Sequence, residues 1–294
     1  MKNKLTKNSI ELVGKLVNTR GLDEIKRANK DGSEFVSGSV TLDIGKGQLL
    51  EVDVYSKKFT KDGQPSKLFE RYLELPEEVG TMMRVGGVEF TENRFWGRND
   101  QITSVNKVSG RFFNVARDND ETQAKFTFAG YVFKPIYERL DREGKLLHYE
   151  TIIAQPNWNG SKPLYVKFAI DKDNSAVVNG MEAQYSKGAT VQVTGHIELE
   201  TETRVVDKAG DVAFGDSATE EYTNTYVKYV ITGGNKPLDD ESEGAYRPDE
   251  IAMLTKSYDD EGLLIEDAAR KKADTNQTSF SNKETAKSSR TKLI

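Results

Sequence analysis

The feature that most constrains this chain is an alternation of apolar and polar residues in strand-length segments that occur in the same order twice. Residues 10–17 read IELVGKLV, and 116 residues later residues 126–133 read FTFAGYVF, with the glycine in register. Alternation with a period of two places one set of residues on each face of a β-strand. In both places two more alternating segments, a short helical pattern and two further alternating segments follow. The sequence therefore predicts a mostly β protein made of two repeats of about 110 residues.

The predicted elements of the two repeats correspond to each other. In the first repeat we expect strands at residues 10–17, 36–44, 50–54, 85–95 and 102–115, with a helix at 67–75. In the second repeat we expect strands at 126–133, 147–154, 164–170, 190–201 and 222–232, with a helix near 176–185. Outside the glycine segments the two halves are only weakly similar. One large β-sandwich therefore stays open as the alternative architecture.

The composition excludes several classes of protein. The 294 residues include no cysteine and two histidines, which excludes disulfides, thiolate nucleophiles and metal sites built from cysteines or several histidines. No apolar run approaches the roughly 20 residues of a membrane span, so no membrane partner is expected. The basic N-terminus has no separate apolar stretch with a small-residue cleavage site. We therefore expect a cytoplasmic protein.

The charge is segregated along the chain. Residues 239–267 hold eleven acidic and two basic residues, whereas residues 270–294 hold seven basic and two acidic residues. This acidic and then basic, Ser- and Thr-rich composition is typical of a disordered tail. Within it, residues 248–254 and 262–271 show short helical patterns, neither of them long enough to be stable alone. The remaining residues, 1–238, are close to neutral, so any affinity for nucleic acid must come from local basic grooves and stacking.

Signals of an enzyme are poor. The sequence contains no Walker loop, nucleophile elbow or dinucleotide fingerprint. Asp171 and Asp173 could hold Mg²⁺, but a loop Asp-x-Asp between a strand and a helix is usually a turn and cap. His148 and His196 lie on predicted strands at unrelated positions. We therefore predict a protein that is not an enzyme and that uses neither a metal nor a cofactor.

Two segments resemble bacterial single-stranded DNA-binding proteins. Residues 10–16, IELVGKL, resemble the first strand of that family, in which a glycine bends the strand, and residues 185–198, YSKGATVQVTGHIE, resemble its fourth strand. The family fold is the OB-fold, a five-stranded Greek-key barrel with its helix between strands three and four. The predicted element order matches that fold twice, so we expect two tandem OB-fold barrels, at residues 1–117 and 118–237. The composition predicts that a flexible, largely disordered tail with possible short helices follows at 238–294.

The chain also departs from that family. It carries two barrels where the bacterial protein carries one, and its last residues, RTKLI, are basic instead of forming a short acidic tip. A cysteine-free chain of this size with two barrels resembles a replication protein encoded by a phage or plasmid. We still expect the tail to recruit replication or recombination proteins, but the resemblance does not indicate which residues of the tail would do so.

The resemblance implies sequence-independent binding and protection of single-stranded DNA during replication or recombination. Such binding needs aromatic surfaces for the bases and cations for the phosphates along one groove. Several segments interleave the two. Alternation places Tyr131 and Tyr165 opposite the apolar strand face, and Trp96 and Trp158 fall in connections between predicted strands. The candidate contacts are Tyr55, Lys57, Lys58, Phe59, Arg94, Trp96, Arg98, Tyr131, Lys134, Trp158, Tyr165 and Lys167.

A second function fits the same residues. In a structural or assembly protein, OB-like barrels would bind protein partners and the outward aromatic side chains would form the interface. The density of aromatic residues next to lysine and arginine favours DNA, and the assembly function is kept as the alternative.

Overall fold

A computed structural model describes residues 4–141, 143–157, 160–207 and 219–288. Most of the ordered elements are strands, which confirms the predicted mostly β class. The elements of the first half are β1 (Lys7–Arg20), β2 (Lys26–Arg27), β3 (Glu34–Asp43), β4 (Leu49–Lys57), α1 (Lys67–Glu74), a 3-10 turn (Leu75–Glu78), β5 (Met82–Trp96), β6 (Ile102–Ser109) and β7 (Phe112–Val115). The elements that follow are β8 (Gln123–Leu140), β9 (Leu146–Pro156), β10 (Pro163–Ile170), α2 (Ser175–Gln184), β11 (Thr190–Asp207), β12 (Thr219–Gly234) and α3 (Pro248–Ser288).

The strands close into two circuits with the same connectivity. In the first circuit the pairing runs β1–β3–β4–β6–β5 and back to β1, with β4 and β6 parallel and α1 between β4 and β5. In the second circuit it runs β8–β9–β10–β12–β11 and back to β8, with β10 and β12 parallel and α2 between β10 and β11. The order of three strands, a helix and two strands therefore occurs twice, as the sequence pattern predicted. The segment 102–115, predicted as one strand, is instead two strands that are separated at Gly110.

The two circuits share one sheet and one aromatic core. Strands β1 and β8 pair antiparallel from Lys7 opposite Ala129 to Val13 opposite Gln123. Phe90 of β5 is fully buried, and its ring contacts four aromatic rings of the second circuit at centroid distances of 4.7 to 5.9 Å. These partners are Phe126, Phe128, Phe168 and Tyr229. The circuits are thus joined both by backbone hydrogen bonds and by buried aromatic packing.

The glycines that marked the repeats lie where a strand changes partner. A Cβ at Gly14 would lie 2.8 Å from the carbonyl oxygen of Asp43 on β3, and a Cβ at Gly130 would lie 2.0 Å from that of Ala154 on β9. Both distances are shorter than real Cβ contacts, so only glycine allows this approach of the two backbones. The first strand of each circuit therefore needs its glycine to reach the second strand.

The C-terminal segment differs from the expected flexible tail. Residues 248–288 form one helix, α3, instead of two short helical patterns in a disordered segment. Tyr246 and Leu254 are buried against strands of the second circuit, and Ile251 and Tyr258 pack beside them. Leu254 follows Ile251 by three residues and precedes Tyr258 by four, a spacing that gives a helix one apolar face. The acidic composition obscures this apolar face in the sequence, and burial of the face against the second circuit stabilises the helix.

Candidate nucleic-acid interface

The outer face of β3 and β4 carries an open aromatic surface. Tyr55 and Lys57 point to the same side of β4, opposite Ser37 and Phe35 of β3 in the ladder. The rings of Phe35 and Tyr55 lie 5.6 Å apart at a tilt of 39°. Tyr55 is 56% exposed although it lies on a central strand of the circuit. An exposed ring next to an exposed ammonium group combines the two requirements for holding a stacked nucleotide.

Cations surround this aromatic surface. Tyr55 lines a cavity of about 760 Å³ together with Arg20, Lys26 and Arg111. Arg20 pairs with Glu51 at 2.7 Å, and Arg111 pairs with Glu89 at 3.0 Å. The Lys26 ammonium donates to the carbonyl oxygen of Ser37 at 2.6 Å, which fixes it beside the strand. Exposed pairs of this kind are weak, so phosphate can exchange with their carboxylates at little cost.

The segment after β4 continues this surface. Phe59 is exposed, and the Lys58 ammonium lies 5.8 Å from the centre of its ring. Lys58 also pairs with Glu34 at 2.6 Å, and Arg27 pairs with the same carboxylate at 3.1 Å. The hydrogen bonds from Lys58 and Arg27 hold the pKa of Glu34 below its usual range. The structure thus brings four predicted residues of the first repeat together: Tyr55, Lys57, Lys58 and Phe59.

A second group of predicted residues lies on β8 and β10. Lys134 and Lys167 are both exposed, and the Lys134 ammonium lies 3.4 Å from the centre of the Tyr137 ring. The Tyr137 hydroxyl donates to Glu150 at 2.7 Å, and Lys167 lies 3.8 Å from the same carboxylate. Burial opposes ionisation of Glu150, but His148, Tyr137 and Lys167 outweigh it and lower its pKa to about 2. The carboxylate therefore holds these side chains in place as a charged group.

Tyr131 and Tyr165 face outward from the second circuit, as predicted, but they are not open to solvent. Tyr131 is 0% exposed and Tyr165 is 8% exposed, because α3 and Tyr246, two residues before the helix begins, cover them. Tyr131 contacts the ring of Tyr246 at 5.2 Å, and Tyr165 contacts that of Tyr258 at 4.5 Å. This burial raises the pKa of the Tyr165 hydroxyl. The expected free stacking surface at these two residues is thus a contact with the protein's own helix.

Arg94 is covered by the same helix. Its guanidinium lies 3.4 Å from the centre of the Tyr258 ring and donates to the Tyr258 carbonyl oxygen at 2.8 Å. It also pairs with Glu261 at 3.0 Å, and its side chain is 8% exposed. Arg94 is therefore largely covered by α3 and is not the open cation that the sequence predicted.

Two further predicted residues lie at the end of β5 and just after it. Trp96 is half-buried at the end of β5, and Arg98 is exposed in the turn that follows. Trp158 lies outside the described residues.

The sequence prediction missed several neighbours of the predicted residues. Phe35 faces Lys57 across the β3–β4 ladder, and its alternation with buried Val36 was a usable signal. Tyr137, His148 and Lys167 each contact Glu150, and only the pairing of β8, β9 and β10 brings them to it. No local pattern marks such a meeting, because it depends on the register of three strands.

The segment Asp171–Asp173, which could have held Mg²⁺, forms the hydrogen-bonded turn that the sequence predicted before α2. The Asp171 carboxylate accepts from the backbone N–H of Asp173 at 3.0 Å, and the Asn174 side chain caps α2.

Among the described residues, no helix is both long and apolar enough to cross a membrane.

A family model described as YorF matches residues 7–271 of this chain. Comparison with curated proteins finds no match. Among solved structures, the chain is similar to the wild-type single-stranded DNA-binding protein from Thermus aquaticus, with 13% identity and a TM-score of 0.44, covering 81% of this chain and 96% of that chain. A deletion mutant of the same Thermus aquaticus protein gives 14% identity and a TM-score of 0.43, covering 83% of this chain and 98% of that chain.

Proposed function

This chain belongs to the YorF family, and we propose that it binds single-stranded DNA without reading the base sequence. The observation that carries the proposal is the open aromatic surface on β3 and β4. There Tyr55 is exposed, packs against Phe35 and lies beside Lys57. Bases stack on exposed rings whatever their identity, since each base has a π-face. A strand bound in this way is protected and kept open without any chemical reaction.

The cations around this surface supply the second part of the mechanism. Arg20, Lys26 and Arg111 line the cavity next to Tyr55, and Lys58 follows β4. Phosphates that take the place of the paired carboxylates release counterions from the DNA, so binding weakens as salt rises. Lys134 and Lys167 offer exposed cations on the second circuit. We assign the main binding surface to the first circuit, because α3 covers the central aromatic residues of the second.

We also propose that the two circuits are OB-fold barrels that correspond to residues 1–117 and 118–237. This division is supported by the identical connectivity of the circuits and by the equivalent roles of Gly14 and Gly130. The proposed role is in DNA replication or recombination, as the sequence resemblance suggests. We further propose that the protein is encoded by a phage or plasmid and that its C-terminal segment recruits partner proteins.

One observation favours the alternative, an assembly protein. Tyr131 and Tyr165 make a protein contact in this structure, although the contact is with the chain's own helix. If the exposed aromatic residues of the first circuit also bind protein, Tyr55 and Phe59 would form an interface instead of a stacking surface.

Fluorescence anisotropy with labelled oligo-dT and with a duplex of equal length tests the proposal. We expect tighter binding of the single strand, with a slope of log K against log salt of about −2 to −5 for a few phosphate contacts. Equal binding of both DNAs, or binding that does not depend on salt, would contradict the proposed function. Formation of larger protein complexes without DNA binding would support the assembly function.

A further inference from the structure

A single carboxylate of α3 holds one cation from each circuit. One oxygen of Glu261 lies 2.5 Å from the Lys162 ammonium, and its other oxygen lies 3.0 Å from the Arg94 guanidinium. Arg94 belongs to β5 of the first circuit, and Lys162 directly precedes β10 of the second. The pair therefore marks a point where both circuits face the same anion.

The cavity around Arg94, Lys162 and Glu261 has space for a larger ligand. Arg94, Lys162 and Glu261 line a cavity of about 1010 Å³, together with Lys7 and Asn157. A volume of this size is in the range of small-molecule sites. The cavity contains residues from both circuits and from α3, so a strand that enters it would pass between the circuits.

The Glu261 side chain is held by charge and lies partly open to solvent. Burial opposes its ionisation, but Lys162 and Arg94 outweigh this effect and hold its pKa below the usual range. Its side chain is 32% exposed, and that of Lys162 is 43% exposed. The carboxylate is therefore charged at neutral pH. Rotation of its side chain would release the Lys162 ammonium and the Arg94 N–H group that donates to it, while Arg94 keeps its contacts with Tyr258.

We propose that Arg94 and Lys162 form a binding subsite for a phosphodiester group, and that Glu261 occupies the place of this group when DNA is absent. Carboxylate and phosphodiester groups each present two oxygens to the same donors, and arginine and lysine bind either anion. The subsite extends the path of the strand from the first circuit towards the second. This inference rests on the proposed single-stranded DNA binding and adds a specific phosphate contact to it.

A matched pair of substitutions on α3 tests the subsite. Glu261→Gln removes the carboxylate at the subsite. Glu266→Gln is the control: it removes a carboxylate five residues further along α3, where Glu266 pairs with Arg270 of the same helix. Both variants change the net charge by the same amount. We expect Glu261→Gln to tighten oligo-dT binding by about three- to tenfold, and Glu266→Gln to change it by less than about twofold.

Two further variants complete the test. Adding Lys162→Gln to Glu261→Gln should remove the gain in affinity, because the phosphate then loses the more exposed of its two cations. If Glu261→Gln lowers the melting temperature, Glu261→Asp replaces it in the test. The aspartate keeps the charge, but its shorter side chain reaches Arg94 and Lys162 less well, so this variant should also tighten DNA binding.

The outcomes separate this inference from the proposed function. Equal gains for Glu261→Gln and Glu266→Gln would indicate general repulsion by the acidic helix and would overturn the subsite. The absence of any gain for Glu261→Gln, with normal binding by the unchanged protein, would also overturn the subsite but would leave the function intact. If the unchanged protein and all variants fail to bind oligo-dT, the function and the subsite are both wrong.

Discussion

Ile10 and Phe126 are Cα partners in the ladder between β1 and β8, and they are also equivalent positions of the two sequence repeats. The ladder extends three residues to each side of this pair, so that Lys7 lies opposite Ala129 and Val13 lies opposite Gln123. Antiparallel pairing of two equivalent strands about equivalent residues is the relation found across the two-fold axis of a symmetric dimer. One chain thus contains an interface of the type that usually joins two copies.

The first prediction concerns the stacking role of Tyr55. Tyr55→Ala should weaken oligo-dT binding by about five- to 150-fold, because loss of one stacked base costs about 1–3 kcal/mol. The melting temperature should change little, since the ring is largely exposed. Anisotropy titration and thermal denaturation measure the two effects.

Tyr226→Ala is the control for this variant. Tyr226 lies on β12 and is 46% exposed, so it matches Tyr55 in residue type and nearly in exposure. Its replacement should leave oligo-dT affinity unchanged. If both variants bind alike, the open surface on β3 and β4 is not the stacking surface.

The second prediction compares two leucines on α3. Leu254 is 1% exposed against the second circuit, whereas Leu264 is 69% exposed. Leu254→Ala should cost about 2–5 kcal/mol in docking of the helix, and Leu264→Ala should stay within about 0.5 kcal/mol. Limited proteolysis of α3 and thermal denaturation should show faster cleavage and earlier melting for Leu254→Ala only. Identical behaviour of the two variants would mean that α3 does not dock through this face.

The third prediction concerns the acid stability of the second circuit. The pKa of Glu150 is about 2 in the folded chain, below its ordinary value of 4.5. A depressed carboxyl pKa contributes stability that is fully present above the ordinary value and is lost as the pH falls through the folded value. Unfolding free energy should therefore fall between about pH 5 and pH 2, in part through Glu150.

Glu150→Gln tests this assignment, because the amide can still accept from Tyr137 but does not titrate. Denaturant unfolding at several pH values should give a shallower acid limb for this variant than for the unchanged protein. Glu182→Gln, at an exposed position of α2, serves as the control and should keep the original slope. An unchanged slope in Glu150→Gln would show that other groups set the acid limb.

The fourth prediction compares two glycines. Gly130→Ala would place a Cβ 2.0 Å from the Ala154 carbonyl oxygen, so β8 and β9 must separate and the protein should lose several kcal/mol of stability. Gly180→Ala lies in α2 with no atom within 4 Å of the added Cβ, and it should stabilise the helix by up to about 1 kcal/mol. Thermal denaturation should therefore shift in opposite directions. A tolerated Gly130→Ala would disprove the close approach of the two strands.

Strand alternation predicted much of the fold, because alternation depends only on neighbouring residues. The helix expected at 67–75 is found at Lys67–Glu74, with Ser66 as its N-cap. Alternation also placed Tyr131 and Tyr165 on the outer side of the second circuit correctly. It could not show that α3 lies over them, since that contact joins residues about 100 positions apart and the helix segment has the composition of a disordered tail.

For the proposed function, the internal pairing of β1 and β8 also limits how a DNA strand could cross the molecule. A DNA strand has a 5′ and a 3′ end, whereas two faces related by a two-fold axis point in opposite directions. A strand that crosses both circuits meets the second face in reverse and cannot make the same contacts on both. In a dimer of identical chains this mismatch is permanent. With both halves on one chain each face can change alone. Here α3 covers Tyr131 and Tyr165 on the second circuit, whereas Tyr55 on the first circuit is exposed, so the two faces already differ.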